Sequence, residues 1–260
     1  MKIFLLAALV ALALPAQALI KTRVIEYKDG DVVLQGYAAW EDGFKDTRPG
    51  ILVAHEWWGH GPYARRRAEQ LARLGYTAFA LDMYGKGVLA TTHEEAGKLA
   101  GAFFTDRAAM RKRALAGLEQ LKKLPFVDQS KLGAIGYCFG GAAVLELARM
   151  GADLKGVVSF HGALATPTPA TEKPKAKILV LHGADDPNVS PQVPAFLEEM
   201  RKVNADWQFV QYGGAVHSFT VPEAGTDTAK GAAYNKSADR RSWEAMRAFF
   251  EEAFSDKPAK

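Results

Sequence analysis

The stretch that most narrows what this chain can become is residues 131–147, KLGAIGYCFGGAAVLEL. A short apolar run at 132–135 leads into Gly136, Tyr137, Cys138, Phe139, Gly140 and Gly141, and an Ala/Leu-rich helical pattern continues to Met150. The order is strand, tight turn, helix. Such a turn strains the backbone of its central residue, and side chains two positions to either side would strike the neighbouring strand and helix, so glycine is required there. The result is a thiol raised above a sheet edge at the positive end of a helix. That position favours a thiolate, and the next backbone N–H can receive an oxyanion. Free cysteine is also a common core residue, so Gly-x-Cys-x-Gly needs support from the rest of the chain.

The segments around it alternate. After a hairpin pattern at 22–27 and 32–39, joined by the turn signal Lys28-Asp29-Gly30-Asp31, comes a continuous apolar run at 51–54, the mark of a strand buried on both faces. Helix is expected at 63–74, strand at 77–81, a long helical stretch at 92–123 with a break near 103–106, and then the strand–turn–helix already described. Strands at 156–160, 177–181 and 207–212 follow, with helices at 191–202 and 240–254 and a Pro/Thr-rich loop at 165–174. This alternation predicts an α/β fold: a mostly parallel, doubly wound sheet with an N-terminal antiparallel hairpin and functional groups at the carboxyl ends of the strands.

Lys2, the apolar run 3–14, Pro15 and Ala16-Gln17-Ala18 have the charge, core and cleavage pattern of a signal peptide. Residues 1–18 are therefore expected to be removed, leaving 19–260 as one domain. The protein would be exported, to the periplasm in a Gram-negative source and otherwise outside the cell. The leader is shorter than the roughly 20 residues a bilayer span needs, so no stable membrane insertion is expected after cleavage. A single cysteine forms no internal disulfide, and an unpaired thiol in an oxidising compartment more often than not has a chemical task. The net charge of +4 is mild, and the triplets 65–67 and 111–113 fall in helical patterns, which argues for solvated helix faces and against nucleic-acid binding.

A cysteine nucleophile needs a base, and the base a group that fixes its tautomer. His182-Gly183-Ala184-Asp185-Asp186-Pro187-Asn188-Val189 follows one late strand, and Gly213-Gly214-Ala215-Val216-His217-Ser218-Phe219 follows the last. The order nucleophile, acid, histidine is that of α/β-hydrolases. Asp185 and Asp186 compete for the acid, and the usual pattern His-Gly-x-x-Asp-x-x-Val selects Asp186.

These segments, with His55-Glu56-Trp57-Trp58-Gly59 after the buried strand, resemble the dienelactone hydrolase family of the α/β-hydrolase fold over residues 24–254. The resemblance implies a Cys138-His217-Asp186 triad, with Glu56 governing protonation of the thiol and the backbone N–H groups of Trp57 and Phe139 forming an oxyanion hole. It implies a small ester or lactone as substrate, no cofactor, and a monomer or dimer. Two positions depart from the family: where arginines hold a substrate carboxylate, this chain has Val221 and Lys86. Valine cannot bind a carboxylate, so an aromatic, apolar lining is expected instead. The residues assigned to substrate binding are Lys86, Tyr84, Trp58 and Phe219, with Trp57, Tyr137 and Phe160 nearby.

Other functional classes find less support in the sequence. His55, Glu56 and His60 form H-E-x-x-x-H, one residue too long for the helical zinc motif, and the intervening tryptophans and glycine argue for a loop, so no metal is expected. His161 and His182 read as polar groups near a pocket. A thiol-redox role lacks a second cysteine. A non-catalytic ligand-binding homologue stays open, because fold alone never proves activity.

Overall fold

The computed structural model describes residues 19–43 and 46–255; the expected leader at 1–18 lies outside the described residues. Strands β1 (Ile20–Asp29) and β2 (Val32–Glu41) form the antiparallel hairpin, closed by Gly30 and Asp31 with Gly30 at φ +60°. Then follow β3 (Arg48–Ala54), α1 (Pro62–Arg73), β4 (Thr77–Leu81), α2 (His93–Thr105), α3 (Arg107–Lys122), β5 (Val127–Tyr137) and α4 (Phe139–Arg149). The chain continues through β6 (Gly156–Phe160), β7 (Lys177–Gly183), α5 (Val193–Lys202), β8 (Trp207–Tyr212) and α6 (Lys236–Ala253). One eight-stranded sheet results, in the order β1-β2-β4-β3-β5-β6-β7-β8. The β2–β4 pair is antiparallel like the hairpin, and the remaining pairs are parallel.

Register sets where chemistry can occur. Ala54 lies opposite Gly136, Tyr137 opposite Phe160, Phe160 opposite Leu181, and Gly183 opposite Tyr212. The carboxyl ends of β3, β5, β6, β7 and β8 therefore finish level, and the segments leaving them gather along one edge.

Apolar alternation divides the core between the two faces of the sheet. Leu52, Phe79, Ala134 and Val157 meet Ala114, Leu118 and Leu121 of α3, Val144 and Leu147 of α4, and Phe196 and Met200 of α5. Ile51, Val53, Ile135 and Val158 meet Ala64, Ala68 and Leu71 of α1 and Met246, Phe249 and Phe250 of α6. Each fully buried Leu, Ile or Phe contributes about 1.5–3 kcal/mol, so the strands carrying the site are held from both sides.

Local signals account for the helix boundaries. Thr92 and Glu95 form a capping box at the start of α2. Asp106 ends α2 and caps α3 by accepting the Ala109 N–H at 2.9 Å, which explains the break expected near 103–106. Helix α6 begins at Lys236, a turn earlier than Arg240, because the Asn235 side chain accepts the Ala238 N–H at 3.1 Å.

The 165–174 loop is tied down. Arg107 donates to the Ala165 carbonyl at 2.9 Å, and Arg111 donates to the carbonyl and hydroxyl of Thr168, each at 2.9 Å. Gln192 Oε1 accepts the N–H groups of Leu164 and Ala165 at 2.8 Å, and Glu199 accepts the Ala170 N–H at 2.8 Å.

Candidate active site

Cys138 stands at the junction of β5 and α4 with φ +53° and ψ −114°, backbone that a non-glycine residue adopts only under constraint. The constraint is visible on both sides. A Cβ at Gly136 would lie 2.0 Å from the Gly140 carbonyl oxygen, and one at Gly140 would lie 2.3 Å from the Ala54 carbonyl oxygen and 2.5 Å from that of His55. Only bare α-carbons permit this approach, which brings Phe139 beside the segment leaving β3. The Cys138 N–H donates to the Phe160 carbonyl at 3.0 Å, fixing the elbow's backbone to β6.

His217 follows β8 and is anchored by its own backbone, which donates to Gly231 O at 3.1 Å and accepts from Ala233 N–H at 2.9 Å. Its Nδ1 shares a 2.7 Å hydrogen bond with Asp186 Oδ2, which leaves Nε2 for the Cys138 thiol, with which His217 is also hydrogen-bonded. Burial alone would keep this imidazole neutral. The Cys138 sulfur and the Asp186 carboxylate overcome that cost and raise the His217 pKa well above 6.5.

Asp186 is fully buried. Desolvation raises its pKa, but the hydrogen bond and charge of His217, with the N–H groups of Asn188 at 2.9 Å and Val189 at 3.1 Å, bring it below the usual carboxylate value. Asp185 points away, accepting the Gly214 N–H at 2.9 Å and bracing the turn before His217. The two aspartates that sequence left in competition thus hold different places.

Glu56 is buried, and desolvation pushes its pKa up to about 7 against the opposing effects of His217 and Arg67 and of a hydrogen bond from the Ser218 side chain. Its Oε1 has no hydrogen-bond partner among the described residues. The charge of His217 and the Ser218 hydrogen bond act on this carboxyl, so it lies within reach of the His217 loop.

The N–H of Phe139, first residue of α4, has no acceptor within its own helix. Trp57 lies in the turn closed by Gly59 N–H to Glu56 O at 3.2 Å, and its carbonyl accepts the Tyr84 hydroxyl at 3.1 Å. The Tyr84 ring packs on His55 and Phe139, and burial first, then proximity to Cys138, raises the pKa of its phenol, so it stands beside Cys138. Trp58 is half-buried, 5.3 Å from the Trp57 ring and 5.0 Å from His93.

Other assigned residues sit elsewhere. Lys86 is half-exposed and pairs with Glu26 of β1. Phe219 has no accessible surface and packs against His161 and Tyr212, with Tyr137 and Phe160 in the same core cluster. These three rings belong to the sheet face covered by α1 and α6, whereas Trp57, Tyr84 and Cys138 join Phe103 and Phe104 of α2 against the opposite cluster. The contribution of α2 escaped sequence reasoning, since its two phenylalanines read simply as a helix end. Both His55 nitrogens are engaged, Nδ1 donating to Glu56 O at 2.5 Å and Nε2 accepting the Met83 N–H at 3.1 Å.

A mixed sheet ending in a strained cysteine elbow, with an acid-backed histidine on a later loop, defines an α/β-hydrolase. The dienelactone hydrolase family model matches residues 34–254, and this chain belongs to that family. It is 42% identical to the solved structure m3DLH, with a TM-score of 0.87 over 91% of this chain and 99% of that one. It is 40% identical to P91, a dienelactone hydrolase-like promiscuous phosphotriesterase from metagenomic libraries, with a TM-score of 0.86 over 92% of this chain and 100% of that one. An uncharacterized protein of Caenorhabditis elegans is 43% identical over 151 residues, 56% of this chain and 95% of its own length. Family membership supports hydrolysis of small esters or lactones.

Proposed function

We propose that this chain is an exported, cysteine-dependent hydrolase of small neutral carboxylic esters or lactones that works through an acyl-enzyme. The observation that carries the reading is His217 held at 2.7 Å by buried Asp186 while hydrogen-bonded to Cys138 on the strained elbow. The Cys138 thiolate attacks the substrate carbonyl, and the oxyanion is received by the N–H groups of Phe139 and Trp57. As the tetrahedral intermediate collapses to the thioester, the His217 imidazolium gives its proton to the departing alkoxide. His217, now neutral, takes a proton from water, whose oxygen attacks the thioester. Collapse of this second intermediate releases the acid and returns thiolate facing imidazolium. Asp186 fixes the tautomer of His217, and Glu56 modulates the charge of the Cys138–His217 pair from the histidine side.

The test is a panel of aryl esters, lactones and thioesters, with intact-mass detection of an acyl adduct. The similarity to P91 adds an aryl phosphotriester to the panel. Turnover that stops in Cys138→Ala, with the adduct mapped to Cys138, is the expected result. Binding of esters without turnover by wild type would instead identify a non-catalytic homologue. Secretion of the full-length chain with loss of residues 1–18 tests the export reading.

A further inference from the structure

His161 takes no part in the steps above, yet its ring packs directly against that of His217. It follows β6 with φ +40°, a strained value for a residue with a side chain, and its N–H donates to the Leu181 carbonyl at 2.8 Å. The residue before it, Phe160, holds the Cys138 N–H. Its own Nε2 shares a 2.8 Å hydrogen bond with Thr220 Oγ1, three residues after His217. Thr220 is gripped further: its hydroxyl meets Tyr63 OH at 2.6 Å, and its carbonyl accepts from Arg67 at 3.0 Å, with Arg67 in turn paired to Asp239 at 2.6 Å. The His161 ring meets the His217 ring edge to face at 5.2 Å and 67°. Two consecutive residues at the end of β6 thus hold the nucleophile's backbone on one side and the histidine loop on the other.

The groups facing His161 explain which form it takes. Burial first, then His217, Arg67 of α1 and His182 of β7, all disfavour a second proton, while Tyr137 at the end of β5 packs on its ring. A neutral imidazole is the form that leaves the imidazolium of His217 without a repelling neighbour and offers it an aromatic contact.

We infer that His161 is a positioning residue for the hydrolytic site: through Thr220 it sets where His217 stands relative to Cys138. This rests on the hydrolase reading above and adds a residue to it. Because the bond has two ends, it can be broken from either. His161→Phe keeps a ring and loses the bond; Thr220→Val keeps the shape and loses this bond together with that to Tyr63; Thr220→Ser keeps the hydroxyl; Tyr63→Phe loses the Tyr63 bond alone.

Displacing a catalytic base by about 1 Å costs on the order of 10²-fold. His161→Phe and Thr220→Val are each expected to lower kcat by about 10- to 100-fold with KM little changed, and Thr220→Ser to retain most activity. The double variant His161→Phe/Thr220→Val should be no worse than Thr220→Val alone, since the valine has already removed the bond that His161→Phe breaks. The pH profile of Cys138 alkylation by iodoacetamide should move toward alkaline pH in both single variants, a readout independent of turnover. Folded variants with wild-type kcat and alkylation profile, altered only in melting temperature, would overturn the proposal, as would additive losses in the double variant. If His161→Phe does not fold, Thr220→Val against Thr220→Ser and Tyr63→Phe decides: a loss in Thr220→Val that Tyr63→Phe reproduces in full would overturn the proposal. An active Cys138→Ala protein would overturn the hydrolase reading itself, whereas an inactive Cys138→Ala beside fully active His161→Phe and Thr220→Val would overturn only the positioning role.

Discussion

Replacing Glu56 by glutamine tests the electrostatics of the site through stability. The carboxyl moves from its ordinary value of 4.5 to about 7 because burial penalises its charged form more than His217 and Arg67 favour it. At about 1.36 kcal/mol per pH unit, that difference amounts to about 3 kcal/mol. Between these two values the native protein binds more protons than the unfolded chain, so its stability falls as pH rises through the window and levels off above it. At pH 8 the wild type carries the whole cost, whereas at pH 4.5 it carries little. A glutamine in the same place never ionises. Glu56→Gln should therefore gain about 3 kcal/mol relative to wild type between acid and alkaline conditions, whatever the substitution costs at a single pH. The assay is urea unfolding of both proteins at pH 4.5 and pH 8, with reductant present. Taking the difference of differences cancels every titrating group that does not interact with Glu56. Parallel stability curves, with a gap that does not change with pH, would refute the argument and give Glu56 an ion-paired, structural place. The same variant should also alter the pH dependence of Cys138 alkylation, since an amide cannot supply negative charge beside His217.

Three further outcomes are expected. Cys138→Ala should lose turnover while keeping the fold by circular dichroism, and iodoacetamide should inactivate wild type in proportion to labelling of its single thiol; an active alanine variant would sink the mechanism. Asp186→Asn should lower kcat on the order of 10⁴-fold, the size known for such a change in a serine-protease triad, while Asp185→Asn should leave kcat nearly unchanged because an amide oxygen can still accept the Gly214 N–H; the reverse ranking would overturn the assignment. Neutral short-chain or aryl esters should exceed matched esters bearing a free carboxylate by at least about tenfold in kcat/KM, because Val221 is apolar and Lys86 is already paired with Glu26. Paired substrates of equal leaving-group pKa at two ionic strengths check this, and a preference for the acid that disappears in Lys86→Ala would restore a carboxylate site.

Much of this architecture was legible because local chemistry and tertiary structure agree. The glycines at 136 and 140 announce the elbow, and the structure shows the carbonyl oxygens they make room for. Strands at 77–81, 156–160 and 207–212 coincide with β4, β6 and β8, since short segments rich in aromatic and β-branched residues and bounded by turns have few other uses. What was not legible depends on which face of the sheet a loop residue reaches. Phe219 follows His217 by two positions and reads as pocket, yet it turns into the α1/α6 side. Phe103 and Phe104 lie at a helix end far from any motif and reach the sheet face that Cys138 joins. The Asp185–Asp186 choice needed a pattern, because both carboxylates are a hydrogen bond away from something essential. The roles of His161 and Thr220 had no local signal at all: their bond spans 59 positions of sequence.

The prolines and threonines of the 165–174 loop suggest a hinged flap, but moving it would break its bonds to Arg107, Arg111, Gln192 and Glu199 together. Those partners lie on α3, just before α5 and on α5. Loosening one leaves the others holding, so the loop opens only in a concerted step that frees them all, and it is as stiff as the helices it is pinned to.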